Sequence, residues 1–346
     1  GEIERAERTV DLLTFVYWSG EIGDRFASAL ADRANQGVRV RVLLDAVGTK
    51  PMDPDLVARM TSAGCDVRRF RPPDLVHPLR SGHRTHRKIL VCDEQVGFTG
   101  GVGIADEWRG DGRHSGQWRD THVRVQGRAV DGLRAAFLDN WTETDLALFD
   151  TEFDHWPQLA EDGPSAVQVV QGSAEPGWNA VSTTVRALMD LAHEQLRVTT
   201  AYFVPDDDLM QRFRQAAERG VHVQVLVPGP EADKRFVQVA SEACYGELLD
   251  LGIEVHCYQP SMLHAKVLTV DGAVATVGSA NFNNRSRSLD EEVNLVIFDP
   301  EVVAELDHDF DRDLEHSVAL DLSRWKDRSV VQRGLERVIR VAEPWM

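Results

Sequence analysis

GVRVRVLLD, from Gly37 to Asp45, and GVHVQVLVP, from Gly220 to Pro228, are one strand pattern written twice. Each alternates apolar and polar residues and is entered through a glycine. The charged stretches before them, residues 22–36 and 206–219, read as helices that end at Gly37 and Gly220, where a left-handed residue costs least. The order repeats downstream. AGCDVRRFRP (Ala63–Pro72) parallels LGIEVHCYQP (Leu251–Pro260), each a glycine-ended helix feeding a short strand that stops at proline. Helix–strand alternation in both halves predicts an α/β protein of two pseudo-two-fold-related lobes packed face to face. Each lobe is expected to be a mixed, mostly parallel sheet flanked by helices. The polar, Pro/Gly-punctuated run DHWPQLAEDGPSA (Asp154–Ala166) is the expected junction, dividing the chain into lobes of residues 1–160 and 161–346.

Composition supports this size and shape. A chain of 346 residues, 42% hydrophobic and 27% charged, can bury two cores. Its formal net charge of -18 opposes approach to a polyanion, so nucleic acid is not an expected partner and any anionic substrate needs a local basic patch. Cys65, Cys92, Cys244 and Cys257 form no C-x-x-C pair and no zinc spacing, which leaves buried thiols. No run reaches the roughly 18 apolar residues of a spanning helix, so the chain as given reads as soluble. It begins at Gly1, which leaves room for a membrane anchor ahead of it.

The chemistry lies in a further correspondence, HRKILVCDEQVGFTGG from His86 against HAKVLTVDGAVATVGS from His264. Both read H-x-K-x4-D, followed at the same distance by two small residues. One copy arises by chance in roughly a few per cent of chains this long; two copies at matching places in a repeat do not. On a strand, residues two apart share a face, so His86 projects with Lys88 and His264 with Lys266. Asp93 and Asp271 fall on the opposite face by parity and read as structural turn carboxylates. Gly100-Gly101 and Gly278-Ser279 are small enough for close approach to a bound group, and Asn281 offers an amide donor. Lys88, Lys266, Gly101, Ser279 and Asn281 are thus the candidate phosphate-binding residues. Two imidazoles and two ammoniums supply a nucleophile, a leaving-group acid and cationic donors for a phosphodiester, with no metal or cofactor required.

With its paired motifs the sequence resembles the phospholipase D superfamily over nearly its whole length, and within it the bacterial cardiolipin synthases. The second half carries the likeness through AYFVPDDDL, MLHAKVLTVDGAVATVGSANFNNRS and LDEEVNL; the first is similar through YWSGEIG, THRKILVCD, FTGGVGIADEW and QWRDTH. The resemblance implies two phospholipase D-like lobes sharing one active site, with a phosphatidyl group passing through a covalent phosphohistidine. His86 is assigned as nucleophile and His264 as acid/base. It also implies a carboxylate orienting each histidine, and aligning THVRVQG with VNLVIF puts Asp120 and Glu292 in those places. The substrate implied is a phospholipid, phosphatidylglycerol, met at a peripheral membrane surface. Localisation is then cytoplasmic or at the inner face of the cell membrane. Hydrolysis of head groups, a metal-independent nuclease and a non-catalytic lipid binder are the alternatives. One departure stands out: Gly103 occupies the place that Asn281 fills in the second half.

Between Pro72 and His86 the first half is about ten residues longer than the second, and the stretch is basic. Arg68, Arg69, Arg71, Arg80, Arg84 and Arg87, with His77 and His83, form an island suited to focusing an anionic head group, or else arginines paired with local acids. Trp18, Trp108, Trp118, Trp156, Tyr17, Tyr202 and Phe203 lie near strand ends or motif loops, suited to acyl chains or to core packing. The basic segment from Arg324 to Met346 reads as a helix, docking on a membrane or on its own domain.

Overall fold

The computed structural model describes residues 1–72, 82–144, 163–173 and 179–326. The first lobe carries β1 (Thr9–Thr14), β2 (Arg39–Asp45), β3 (Asp66–Phe70), β4 (Arg84–Thr85), β5 (Ile89–Cys92), β6 (Val96–Gly100), β7 (Trp118–Arg119) and β8 (His122–Gln126). Its helices are α1 (Glu2–Arg5), α2 (Glu21–Asn35), α3 (Pro54–Ser62) and α4 (Ala129–Thr142). The second lobe carries β9 (Ala166–Gly172), β10 (Gln195–Thr200), β11 (Phe203–Val204), β12 (His222–Pro228), β13 (Glu254–Tyr258), β14 (Met262–Leu263) and β15 (Lys266–Val270). It continues through β16 (Val274–Gly278), β17 (Phe282–Asn283), β18 (Asp290–Phe298) and β19 (Ser317–Ala319). Its helices are α5 (Ala180–Leu191), α6 (Asp207–Glu218), α7 (Arg235–Asp250), α8 (Asn284–Ser288), α9 (Pro300–Leu314) and α10 (Leu322–Lys326). The expected junction near residue 160 lies outside the described residues.

Chain connections set the strand directions. In the first sheet, ordered β3-β2-β1-β5-β6-β8, helices α2 and α3 carry the chain between β1, β2 and β3, and these three run parallel. In the second, α6 and α7 do the same for β10, β12 and β13. The motif strands are hairpins, so β5, β6 and β8 in one lobe and β15, β16 and β18 in the other pair antiparallel. Each sheet is therefore mixed, and the expected predominance of parallel strands is corrected: the parallel part is limited to the helix-connected strands and the two-residue pairing of β4 with β18. Gly37 (φ 87°) and Gly220 (φ 81°) end the helices before β2 and β12 in the left-handed region, where they were expected.

Alternation along the strands divides the cores. Val10, Leu12, Val40, Val42 and Leu44 face α2 and α3 on the outside of the first lobe. Leu13 and Leu43 point the other way, into a core shared with Leu133 and Phe137 of α4 and with Val267, Val277, Val293 and Leu295 of the second lobe. That shared layer holds the lobes together, at roughly 1.5–3 kcal/mol for each large apolar side chain fully buried. Among the described residues, no helix is long and apolar enough to cross a membrane.

The motif aspartates close the far ends of the hairpins. Asp93 (φ 53°) and Asp271 (φ 52°) both take left-handed backbone at the reversals after β5 and β15. The Asp93 carboxylate accepts from the N–H groups of Glu7 (2.9 Å), Arg8 (2.7 Å) and Thr9 (2.9 Å); Asp271 accepts from His193 (2.9 Å), Glu194 (2.9 Å) and Gln195 (2.8 Å). Each aspartate thus pins its hairpin to the start of its lobe's first parallel strand. Partial burial opposes ionisation of Asp271, but the three N–H donors prevail and its carboxyl is held below the ordinary range. Asp271→Ala is expected to lower stability by about 1–3 kcal/mol at neutral pH, read as a lower urea midpoint. A lowered carboxylate pKa stabilises above the unfolded value near 4, so the deficit should shrink as the pH falls below it.

Candidate active site

Two short parallel bridges bring the halves of the site together. Arg84–Thr85 pairs with Asp290–Glu291 across the lobes, and the His86 N–H donates to Glu291 O at 2.8 Å. Met262–Leu263 pairs with Trp118–Arg119, and the His264 N–H donates to Arg119 O at 2.7 Å. In each case the two-residue pairing ends one residue before a carboxylate on one lobe and a histidine on the other, so parallel register sets them side by side. His86 Nδ1 lies 3.1 Å from both oxygens of Glu292, and His264 Nδ1 lies 2.6 Å from Asp120 Oδ2. Each lobe supplies the carboxylate for the other lobe's histidine. A carboxylate accepting at Nδ1 leaves the Nε2 lone pair free.

The side chains are buried, His86 11% and His264 6% exposed. Lys88 Nζ donates to His86 O at 2.8 Å, and Lys266 Nζ donates to His264 O. Burial first, then Lys88, push the His86 imidazole down to about 4 against the pull of Glu292. Burial and Lys266 push His264 down to about 3 against Asp120. Burial also lowers the ammoniums, Lys88 to about 8 and Lys266 to about 7, although Glu292 and Asp120 act to raise both. Burial of Glu292 would raise it, yet His86 and Lys88 hold it at about 2. Each lysine acts on both histidines and both carboxylates act on each lysine, so the six groups form one electrostatic cluster.

Two of the candidate phosphate-binding residues are engaged within the fold. The Gly101 N–H donates to Thr121 O at 3.0 Å, and a Cβ at Gly101 would stand 2.1 Å from Asp120 Oδ1, so this glycine makes room for the carboxylate. The Ser279 N–H donates to Val293 O at 3.0 Å and its hydroxyl to Glu292, while its carbonyl lies 3.0 Å from His86 Nδ1. Both residues serve the orienting carboxylates. Asn281 and Lys266 both line a cavity of about 50 Å³, and the Asn281 Oδ1 is buried there without a hydrogen-bond partner among the described residues. Gly103 cannot carry an asparagine: a Cβ there would lie 2.8 Å from Val16 Cβ and 2.9 Å from the Trp108 ring.

The described residues of the basic island are spent on structure. Arg84 pairs with Asp45 at 2.9 Å and donates to the carbonyls of Phe70 and Arg71. Arg87 pairs with Asp139 at 2.9 Å and donates to Ala136 O and Gly172 O. Arg71 reaches Glu143 and Glu291, and Arg68 reaches Asp66 while lying over Trp141. Arg69 donates to Thr49 Oγ1, and His83 Nδ1 meets Leu289 O; His77 and Arg80 lie outside the described residues. The aromatics divide. Trp118 (5.0 Å), Trp108 (5.5 Å) and Tyr202 (6.5 Å) ring His264, with Trp18 behind them, while Phe15 meets His86 at 5.2 Å. Tyr17 and Phe203 are core, and Trp156 and residues 327–346 lie outside the described residues.

Comparison with known proteins places this arrangement. The family model described as "Cardiolipin synthase, PLD-like domain" matches residues 1–107 and 185–314. The chain belongs to that family. It is 35% identical to a cardiolipin synthase of Geobacillus kaustophilus over 99% of this chain and 68% of that protein. A cardiolipin synthase of Clostridium perfringens is 32% identical over 100% of this chain and 73% of its own length. A phosphatidylserine synthase from Haemophilus influenzae superposes with a TM-score of 0.75 at 14% identity, covering 100% of this chain and 92% of that one, a likeness of fold. Family membership carries the paired lobes and the enzyme class; the residues around Asp120 are this chain's own geometry.

Breaking a buried ion pair by deleting one partner typically costs about 3–5 kcal/mol. Arg84→Ala should therefore lower the denaturation midpoint strongly while leaving KM for an anionic substrate unchanged in the folded fraction. A selective rise in KM would restore the head-group-focusing role.

Proposed function

We propose that this protein is a phosphatidyltransferase of the cardiolipin synthase type, acting on phosphatidylglycerol at the inner face of the cell membrane. The observation that carries the reading is the reciprocal exchange of carboxylates, which makes one site from two histidines on different lobes. The active unit is then both halves together, residues 1–160 and 161–346.

In the first step Nε2 of His86 attacks phosphorus, the P–O bond to glycerol breaks, and His264 gives its proton to the departing oxygen. In the second, His264 takes the proton of an acceptor hydroxyl on another phosphatidylglycerol. That oxygen attacks phosphorus, and the P–N bond breaks to restore His86 and release cardiolipin. Lys88 and Lys266 hold the non-bridging oxygens, Asn281 adds an amide donor beside Lys266, and Glu292 and Asp120 fix the ring tautomers. The low histidine values suit a neutral nucleophile. The acid needs a proton, and the anionic phosphodiester supplies the reason to take one up, since it offsets the two ammoniums that suppress imidazolium. Nucleic acid is disfavoured by the net charge of -18 and by the engagement of the island's described arginines within the fold.

Purified protein with phosphatidylglycerol micelles is expected to release glycerol and form cardiolipin by lipid mass spectrometry, and His86→Ala or His264→Ala should each abolish turnover. Phosphatidic acid as the sole product would replace transfer with hydrolysis. Nuclease activity without lipid turnover would overturn the substrate.

The lysines set the alkaline limb. In the free enzyme, kcat/KM should fall as pH rises through about 7 to 8, where Lys266 and Lys88 lose their protons. Bound phosphate raises both pKa values, so the limb of kcat should sit at higher pH. Coincident limbs would remove the lysines from phosphate binding.

A further inference from the structure

The two orienting carboxylates are held by different chemistry. In the second lobe the support is local: the Ser279 hydroxyl donates to Glu292. In the first lobe Gly101 and Gly103 hold the matching positions, and neither tolerates a side chain. The donor comes from further along the chain. Trp108 Nε1 donates at 2.8 Å to Asp120 Oδ2, the same oxygen that receives His264 Nδ1, and the Thr121 N–H takes Oδ1 at 2.8 Å.

Trp108 is itself fixed. It ends the short 3-10 turn Asp106–Trp108, whose Asp106 carboxylate accepts from the N–H groups of Glu21 (3.0 Å) and Ile22 (2.7 Å) at the start of α2. Its ring is wedged against Trp118 at 4.6 Å and Trp18 at 6.3 Å, and packs over Gly103. An indole N–H only donates, whereas a hydroxyl such as Ser279 can rotate and also accept. The indole therefore fixes which lone pair of Asp120 faces His264 and favours the ionised carboxylate.

We propose that Trp108 is the positioning residue for His264, holding Asp120 through its indole N–H in place of the serine support that Glu292 receives. It rests on the acid role given to His264 above. Trp108 then matters most where a proton must reach the leaving oxygen.

The test replaces Trp108 with phenylalanine and, to keep the bicyclic shape, with benzothienylalanine, which lacks the N–H. Two substrates are compared, phosphatidylglycerol and phosphatidyl-p-nitrophenol, whose leaving group departs without an acid. Losing one hydrogen bond to a charged group should lower kcat about 10- to 100-fold on phosphatidylglycerol. KM should be little changed, and the burst of p-nitrophenol should fall by less than about threefold, since that step needs no proton. Ser279→Ala, acting through Glu292 and His86, should instead slow both substrates alike. Equal losses on the two substrates in the Trp108 variants, or kcat unchanged in the benzothienyl protein, overturn the proposal. A readout independent of turnover is the ¹⁵N shift pattern of the His264 ring: the Nδ1–H tautomer of the wild type should become mixed in the variants, and an unaltered tautomer also overturns it. Wild-type protein inert to both lipids would mark the failure of the transferase reading, while the tautomer measurement would still decide the role of Trp108.

Discussion

Everything in the site depends on two parallel bridges of two residues each. Arg84–Thr85 on Asp290–Glu291 and Met262–Leu263 on Trp118–Arg119 are too short to contribute much as sheet, and their value is register. Parallel pairing advances both chains together, so the next residue of each is a histidine on one side and a carboxylate on the other. Neither lobe can align its own imidazole. The apolar layer formed by Leu13, Leu43, Phe137, Val267, Val293 and Leu295 is thus a catalytic requirement as well as a source of stability, because any sliding of the lobes would shift both pairs at once.

Burial then turns that geometry into a charge problem. Two ammoniums and two imidazoles face two carboxylates in a volume from which water is largely excluded. The lowered values of Lys88 and Lys266, set first by burial, show how strongly the cluster resists positive charge held away from water. An anionic ligand relieves that resistance directly. Protonation of a histidine and binding of a phosphodiester become coupled, each making the other more favourable, and the acid is charged in the presence of a substrate that needs it.

The repeat made most of the fold legible. Gly37 and Gly220 marked helix ends because the left-handed backbone they adopt is costly for other residues, and the H-x-K spacing put each histidine and lysine on one face because a strand repeats every two residues. The far-face position of Asp93 and Asp271 was readable by the same parity, but the N–H groups that donate to them were not, since Glu7 and His193 are distant in sequence. Sheet direction was misjudged where hairpins replaced helix crossovers. The arginine island misled for a different reason: Arg84 and Arg87 look like surface charge until the fold buries them and pairs them with Asp45 and Asp139, and no local pattern announces those partners. Gly101 and Ser279 suggested a phosphate cradle because small residues permit close approach, without saying what approaches.

Divergence between the halves follows from the same constraint. Both need a carboxylate with a donor behind it, but the requirement is for a hydrogen bond at a place, and the chain can meet it from any direction. In the second lobe a short serine reaches a glutamate. In the first an aspartate, one methylene shorter, sits where a Cβ at position 101 would collide with it, which forces glycine there and sends the donor role to a residue with a longer reach. Trp108 meets that reach, and its bulk in turn fills the space above residue 103 and excludes an asparagine. Three differences that look independent along the chain, Gly101 for Ser279, Gly103 for Asn281 and a tryptophan on the following turn, are therefore one substitution in space. The first half thus has a tryptophan holding its carboxylate where the second has an asparagine, and in the proposed reaction the amide of Asn281 acts from one side of the phosphorus alone.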